Sequence, residues 1–291
     1  MGRHRWSGRS GRSGQGGGRL VTTVRAGLLA VATGLAALAF VGTGGATGPA
    51  SAAPAASAAS VGSSAAAWPT ETGAVKLSAT VTVTGTFDGH LQRYWGLGDG
   101  SQSESQPALF VVQDGGTIKN VIIGTPAGDG IHCQGSCTIQ NVWWLDVGED
   151  AATFKGASSS TQVLVAGGGA RKAADKVFQH NGGGSVTIQN FQVEDFGKLY
   201  RSCGNCKTQH PRTVTIRNVT ATAPGKSLAG INANYGDRAT FSGITLVGDP
   251  AKKVSICDRY TGNSNGSEPK KIGSGPDGTY CRYSPSDLTY R

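Results

Sequence analysis

Residues 197–206 read GKLYRSCGNC, placing Lys198 and Arg201 three apart beside the Cys203-x-x-Cys206 pair. Three other stretches carry as dense a load of ionisable groups: GDGIHC (128–133), VGEDAATFKG (147–156) and AADKVFQHNG (173–182). Together they supply the carboxylates of Asp129, Glu149, Asp150 and Asp175 and the cations of Lys176, Lys198 and Arg201. Carboxylates brought together repel one another unless a hard cation sits among them. Oxygen ligands without a regular spacing of histidines point to Ca²⁺. Taken singly, each charge is more simply a solvated turn residue. Their recurrence at corresponding places is what argues for a site. His132 and His180 lie in the same stretches and read more simply as structural hydrogen-bonding groups, ranked below the lysines and the arginine.

The cysteines allow three readings. A redox role for CGNC lacks the surrounding βαβ pattern. Zinc held by Cys133, Cys137, Cys203 and Cys206 has permitted spacings. Disulfides are favoured by an even count in a chain that carries an export signal. Close spacing pairs Cys133 with Cys137, Cys203 with Cys206, and Cys257 with Cys281, although spacing alone leaves the connectivity open.

The elements that position these groups announce themselves as a repeat. TIKNVIIG (117–124), TIQNVWWL (138–145), TIQNFQVE (187–194) and TIRNVTAT (215–222) share fixed asparagines at 120, 141, 190 and 218. A weaker echo is FSGITLVG (241–248), and a degenerate copy is expected at TQVLVAGG (161–168). Short β-branched units bounded by Gly or Asp read as strands and turns, and repeats of this length as a stacked solenoid. Asn tolerates the left-handed conformation, so it can bend each coil, and stacked coils would align the asparagines in a hydrogen-bonded ladder. The expected fold is all-β, a right-handed parallel β-helix. Stacking would bring the charged stretches toward one region of it.

The first 52 residues are of a different kind. Six arginines precede an apolar run, Ala26–Val41, and an ASA site ends at Ala52. This predicts a secretory signal peptide at 1–52, too short in its apolar run for a membrane anchor. With no adjacent pair of arginines, ordinary secretion is preferred to the twin-arginine route. An Ala/Ser/Pro-rich flexible leader follows at 53–67, then one catalytic domain at 68–291. The net charge of +9 is mostly this segment: without its six arginines, 27 − 6 = 21 basic groups face 18 acidic ones. A general nucleic-acid surface is therefore not expected.

The phrases DGIHC, VWWLDVGEDAATFKG, GGGARKAADKVFQHNG and DFGKLYRSCGNC closely resemble the secreted microbial pectate lyases of polysaccharide lyase family 3. The resemblance covers nearly all of 68–235; beyond it, CDRY…GTYCRY looks like a terminal disulfide-closed segment. It implies a parallel β-helix that cleaves polygalacturonate, the de-esterified form of pectin, by Ca²⁺-dependent β-elimination. Carried over by position, Asp129, Glu149, Asp150 and Asp175 resemble the calcium region. Lys176, Lys198 and Arg201 resemble the catalytic and substrate-carboxylate residues, and Glu104 is similar to an acidic position near the cleft. An extracellular monomer without nucleic-acid or membrane partners after signal removal is expected.

The implied chemistry suits these residue types. Elimination takes the proton at C5 of galacturonate, beside a carboxylate, and cations must stabilise the enolate-like intermediate. Lysine can serve as a neutral base where desolvation and neighbouring cations lower its pKa, whereas arginine is harder to deprotonate. Lys176 is the expected base and Arg201 the carboxylate clamp, with the exchanged assignment left open. A polygalacturonate hydrolase would instead need paired carboxylates around a water, and a non-catalytic sugar-binding solenoid would generate no new chain ends.

Overall fold

The computed structural model describes residues 66–291. The signal peptide expected at 1–52 and nearly all of the leader expected at 53–67 lie outside the described residues. Among the described residues no helix is long and apolar enough to cross a membrane. The helical elements there are two short 3₁₀ turns, Ala233–Tyr235 and Pro285–Asp287.

Each coil bends at its asparagine. Asn120, Asn141, Asn190 and Asn218 have φ values of 51°, 51°, 53° and 51°, the left-handed region that Asn tolerates better than most residues. The strand segments before and after the bend therefore join different faces. Thr117–Lys119 pairs in parallel with Thr138–Gln140, and Val121–Ile123 with Val142–Trp144. A further parallel stack starts at Val81–Val83 and continues through Ala108–Val112, Asp129–Cys133 and Asp150–Phe154. The later parts of Gln162–His180, Gln192–Ser202 and Arg212–Asn232 extend it, and Ser255–Thr261 closes it. The fold is a parallel β-helix.

The degenerate copy expected at 161–168 is a genuine coil whose bend is a glycine. Ala166 and Gly168 pair with Gln140 and Val142, so Gly167 (φ 71°) stands opposite Asn141. Gly243 (φ 62°) likewise replaces the asparagine in FSGITLVG. The asparagine ladder expected from the repeat forms in two separate runs. Asn141 Nδ2 donates to Asn120 Oδ1 at 2.8 Å, and Asn120 Nδ2 donates to Asp88 Oδ1 at 3.0 Å. Asn218 Nδ2 donates to Asn190 Oδ1 at 3.3 Å. Gly167 has no side-chain amide to join these two runs, so the ladder is broken in the middle.

The interior is filled by columns of like residues on successive coils. Ile118, Ile139, Val165, Ile188, Ile216 and Phe241 form one such column by register, with Phe241 at 2% and the others at 0% exposure. Burial of each contributes about 1.5–3 kcal/mol. The cysteines pair as 133–137, 203–206 and 257–281, with none free. This removes the zinc reading. The last bond ties Ser255–Thr261, which forms an antiparallel hairpin with Lys270–Ser274, to the strand Cys281–Arg282.

Candidate active site

Register in the third stack places the charged stretches in one line. Asp150 pairs with Lys176, Lys176 with Lys198, and Lys198 with Ser227. The offset that pairs Ile131 with Ala152 sets Asp129 one coil before Asp150. Three residues along each strand runs a second line: His132, Thr153, Gln179 and Arg201, with Gly230 following. Lys198 and Arg201 thus lie on the strand Gln192–Ser202 and not in the disulfide-braced turn. Between them Leu199 and Tyr200 are fully buried, while Lys198 and Arg201 line the cleft. The Cys203–Cys206 turn begins just beyond that strand and forms part of the site's wall.

A cleft of about 570 Å³ opens over these strands. Asp175, Lys176, Lys198 and Arg201 line it, with Glu104 from the loop before Ala108–Val112 and Glu268 from the C-terminal hairpin loop. The Lys176 ammonium is buried among three carboxylates, 3.1 Å from Glu149 Oε1, 2.9 Å from Asp175 Oδ2 and 3.7 Å from Asp150 Oδ1. Burial alone would lower its pKa, but Asp150, Asp175 and Glu149 together raise it above the usual lysine value. Burial pushes the Asp175 carboxyl up, yet hydrogen bonds from Lys198 and Lys176 outweigh it and hold the group at about 2. Burial raises Glu149, and raises Asp150 far more, against the opposing pull of Lys176.

Arg201 differs from the lysines. It is buried, its Nη1 donates to Asn232 Oδ1 at 3.2 Å, and its Cζ lies 4.0 Å from the centre of the Tyr260 ring. Among the described residues no carboxylate lies within ion-pair distance of it. Burial lowers its pKa. A guanidinium desolvated without a counter-ion calls for an anion from outside.

The four carboxylates meet a hard cation's needs in their donors. His132 Nε2 lies 2.5 Å from Asp129 Oδ2, and Thr153 donates to Asp150 Oδ2 at 3.2 Å. The other oxygens, Asp129 Oδ1 and Asp150 Oδ1, are buried without a hydrogen-bond partner, an arrangement that costs free energy unless a cation or donor meets them. Among the described residues no three such side chains form a metal cage; Glu149, Asp150 and Asp175 lie around the Lys176 ammonium. The residues fit Ca²⁺ by ligand chemistry.

The histidines are structural in their contacts. His180 Nδ1 meets the Tyr200 hydroxyl at 2.8 Å and Nε2 meets Gly183 O at 3.1 Å, and burial pulls its pKa down to about 3. His132 bridges Asp129 to Lys155, whose Nζ is 3.1 Å from Nδ1. Sequence reasoning missed Gln179, Asn181, Asn205, Tyr260 and Glu268, all of which line the cleft. Gln179 was within reach: it follows Lys176 by the same three residues that separate Arg201 from Lys198. Tyr260 lies on the strand that closes the third stack, outside the charged stretches that drew attention in the sequence, and Glu268 lies in the hairpin loop beyond it.

Comparison with known proteins gives the family. The family model described as pectate lyase matches residues 65–267. The probable pectate lyase E of Neosartorya fischeri is 52% identical over 219 residues, 74% of this chain and 83% of the relative. The pectate lyase E of Emericella nidulans is 50% identical over 220 residues, 74% and 84% of the two chains. Among solved structures, the catalytic domain of pectate lyase PelI from Erwinia chrysanthemi superposes with a TM-score of 0.66 at 34% identity, covering 75% of this chain and all of that one. PelI in complex with tetragalacturonic acid gives 0.64 at 34% identity, covering 74% of this chain and 70% of that one. The chain belongs to the pectate lyase family of enzymes.

Proposed function

We propose that the protein is exported and, as a monomer, cleaves polygalacturonate by Ca²⁺-dependent β-elimination, leaving a 4,5-unsaturated sugar at the new chain end. The observation that carries this reading is the buried Arg201 guanidinium, without a carboxylate partner, on a cleft that also holds Lys176 and Lys198. A polymer with one carboxylate per sugar supplies the missing anion. That PelI was crystallised with tetragalacturonic acid supports the substrate class.

Asp129, Glu149, Asp150 and Asp175 would hold the cation. Bound there, Ca²⁺ supplies positive charge that neutralises the substrate carboxylate beside C5 and satisfies the acidic side chains that otherwise hold Lys176 charged. Burial acts to lower the Lys176 pKa against the pull of its carboxylate partners, and as the neutral amine Lys176 would take the C5 proton. The C5–H electron pair forms the C4–C5 double bond, and the 4-linked oxygen leaves, gaining a proton, as the end of the departing chain. Arg201 grips a carboxylate with its fork, and Lys198 adds a second cation beside it. One observation favours exchanging the roles: burial lowers the Arg201 pKa, and among the described residues no carboxylate lies within ion-pair distance of it.

The test is ultraviolet absorbance during incubation with polygalacturonate, with and without a chelator. A conjugated product that appears only without chelator is the expected result. New reducing ends without absorbance would mean hydrolysis, and undiminished activity after exhaustive chelation would remove calcium from the reading.

A further inference from the structure

We propose that Tyr260, on the C-terminal strand Ser255–Thr261, is a positioning residue that fixes the plane of the Arg201 guanidinium for the substrate carboxylate. The inference rests on the reading of Arg201 as the substrate clamp.

Arg201 pairs in register with Gly230, and Tyr260 pairs with Asn232 on the same neighbouring coil. The arginine side chain passes over Gly230 to reach both. A Cβ on Gly230 would stand 2.9 Å from Arg201 Cδ and 3.3 Å from Tyr260 Cε2, so the passage depends on the absence of a side chain there. On the far side the Tyr260 ring lies under the guanidinium, 4.0 Å from Cζ. The remaining edge is held by Asn232 Oδ1, and the orientation of that amide is set by Nδ2 donating to Cys203 O at 3.0 Å. A Cβ on Gly204 would meet Arg201 Nη2 at 2.5 Å and Pro269 Cγ at 2.2 Å, so backbone closes in there as well.

A guanidinium has no counter-ion here to set its angle, so stacking and one hydrogen bond must do so. Stacking fixes the plane while leaving the donors in that plane free. Bidentate recognition needs that plane, because both N–H groups must meet one carboxylate together. The hairpin carrying Tyr260 is itself docked on the disulfide turn: Asn263 N donates to Gly204 O at 2.7 Å, and Gln209 Nε2 to Asn263 O at 2.8 Å. The strand that closes the stack therefore completes the clamp.

The experiment measures kcat and KM on polygalacturonate with saturating calcium, for Tyr260→Leu, Tyr260→Phe and Gly230→Ala, each in the wild-type and Arg201→Lys backgrounds. Tyr260→Leu is expected to raise KM about five- to tenfold with a smaller change in kcat. Tyr260→Phe should restore the wild-type KM because it restores the ring, and Gly230→Ala should raise KM as Tyr260→Leu does by lifting Arg201 off it. In the Arg201→Lys background, where no planar fork remains, Tyr260→Leu should change KM less than about twofold. Unchanged KM in both Tyr260→Leu and Gly230→Ala, with KM raised by Arg201→Lys, overturns the positioning role and leaves the clamp standing. An equal rise from Tyr260→Leu in both backgrounds overturns it too. Arg201→Lys with wild-type KM and kcat overturns the clamp itself. Thermal unfolding of each variant separates misfolding from these outcomes, and if Tyr260→Leu does not fold, Gly230→Ala decides.

Discussion

Lys176 and Lys198 are register partners on neighbouring coils, and the two oxygens of Asp175 hold them together, Oδ2 at 2.9 Å from one ammonium and Oδ1 at 2.7 Å from the other. Two like charges stacked in a parallel sheet repel, and one carboxylate converts that repulsion into a cationic pair facing the cleft. The residue that opposes the charges is also the one expected to share in holding calcium.

Asp175→Asn should therefore do more harm than the loss of one ligand. The amide cannot bridge two ammonium groups as a carboxylate does, and the expected loss is about 10- to 100-fold in activity. Initial rates measured against calcium concentration should show half-saturation moved to higher calcium. Wild-type calcium dependence in this variant would take Asp175 out of the cation site.

Lys176→Ala should abolish elimination, by a factor of about 10² to 10⁴ expected for a general base, while polygalacturonate binding persists. The wild-type rate should rise with pH as the base loses its proton and level off above its pKa. Arg201→Lys keeps the charge but loses the fork, so KM should rise along with a fall in rate. Near-normal turnover by Lys176→Ala, together with an Arg201→Ala that binds but does not cleave, would give the base role to Arg201.

Much of this could be read from the chain because a solenoid turns sequence period into spatial register. Thr-Ile-x-Asn recurs where the coil must bend, and the charged stretches recur at nearly the same distance after it. What escaped had one of two physical causes. Gly167 and Gly243 occupy the same bend as the asparagines, but a glycine offers no side chain for a repeat to show, and so the break in the ladder was hidden. Tyr260 reaches the cleft from the strand that closes the third stack and Glu268 from the hairpin loop after it, where no charged stretch like those of the earlier coils marks the position. The pairing of the carboxylates with Lys176 is a matter of side-chain reach, which composition and spacing do not set.

Calcium and protons should compete for the same groups. Burial raises the carboxyls of Glu149 and Asp150 above their usual range in the cation-free protein, so they retain protons to higher pH than exposed carboxylates do. A cation binds their deprotonated forms, so its affinity should fall as pH is lowered through their raised pKa values. Calorimetric titration with calcium across a pH series should show weakening at low pH and proton release on binding. The Asp150→Asn variant should lose most of this dependence, and an affinity flat with pH in the wild type would contradict it.

His180 sets a stability limit on the acid side. Its folded pKa is pulled down to about 3, from an ordinary value of 6.5, by burial against Tyr200 and Gly183. Between those two values the unfolded chain takes up a proton that the folded chain refuses, so protonation favours unfolding. The fold should keep its full stability above about pH 6.5 and lose about 1.4 kcal/mol for each unit below it from this residue alone. Thermal unfolding from pH 7 to pH 4 measures the slope. A His180→Gln variant, less stable at neutral pH for want of the imidazole's fit, should show a shallower fall. If the variant and the wild type fall with the same slope, the acid sensitivity arises at other groups and His180 takes up its proton equally in the folded and unfolded states.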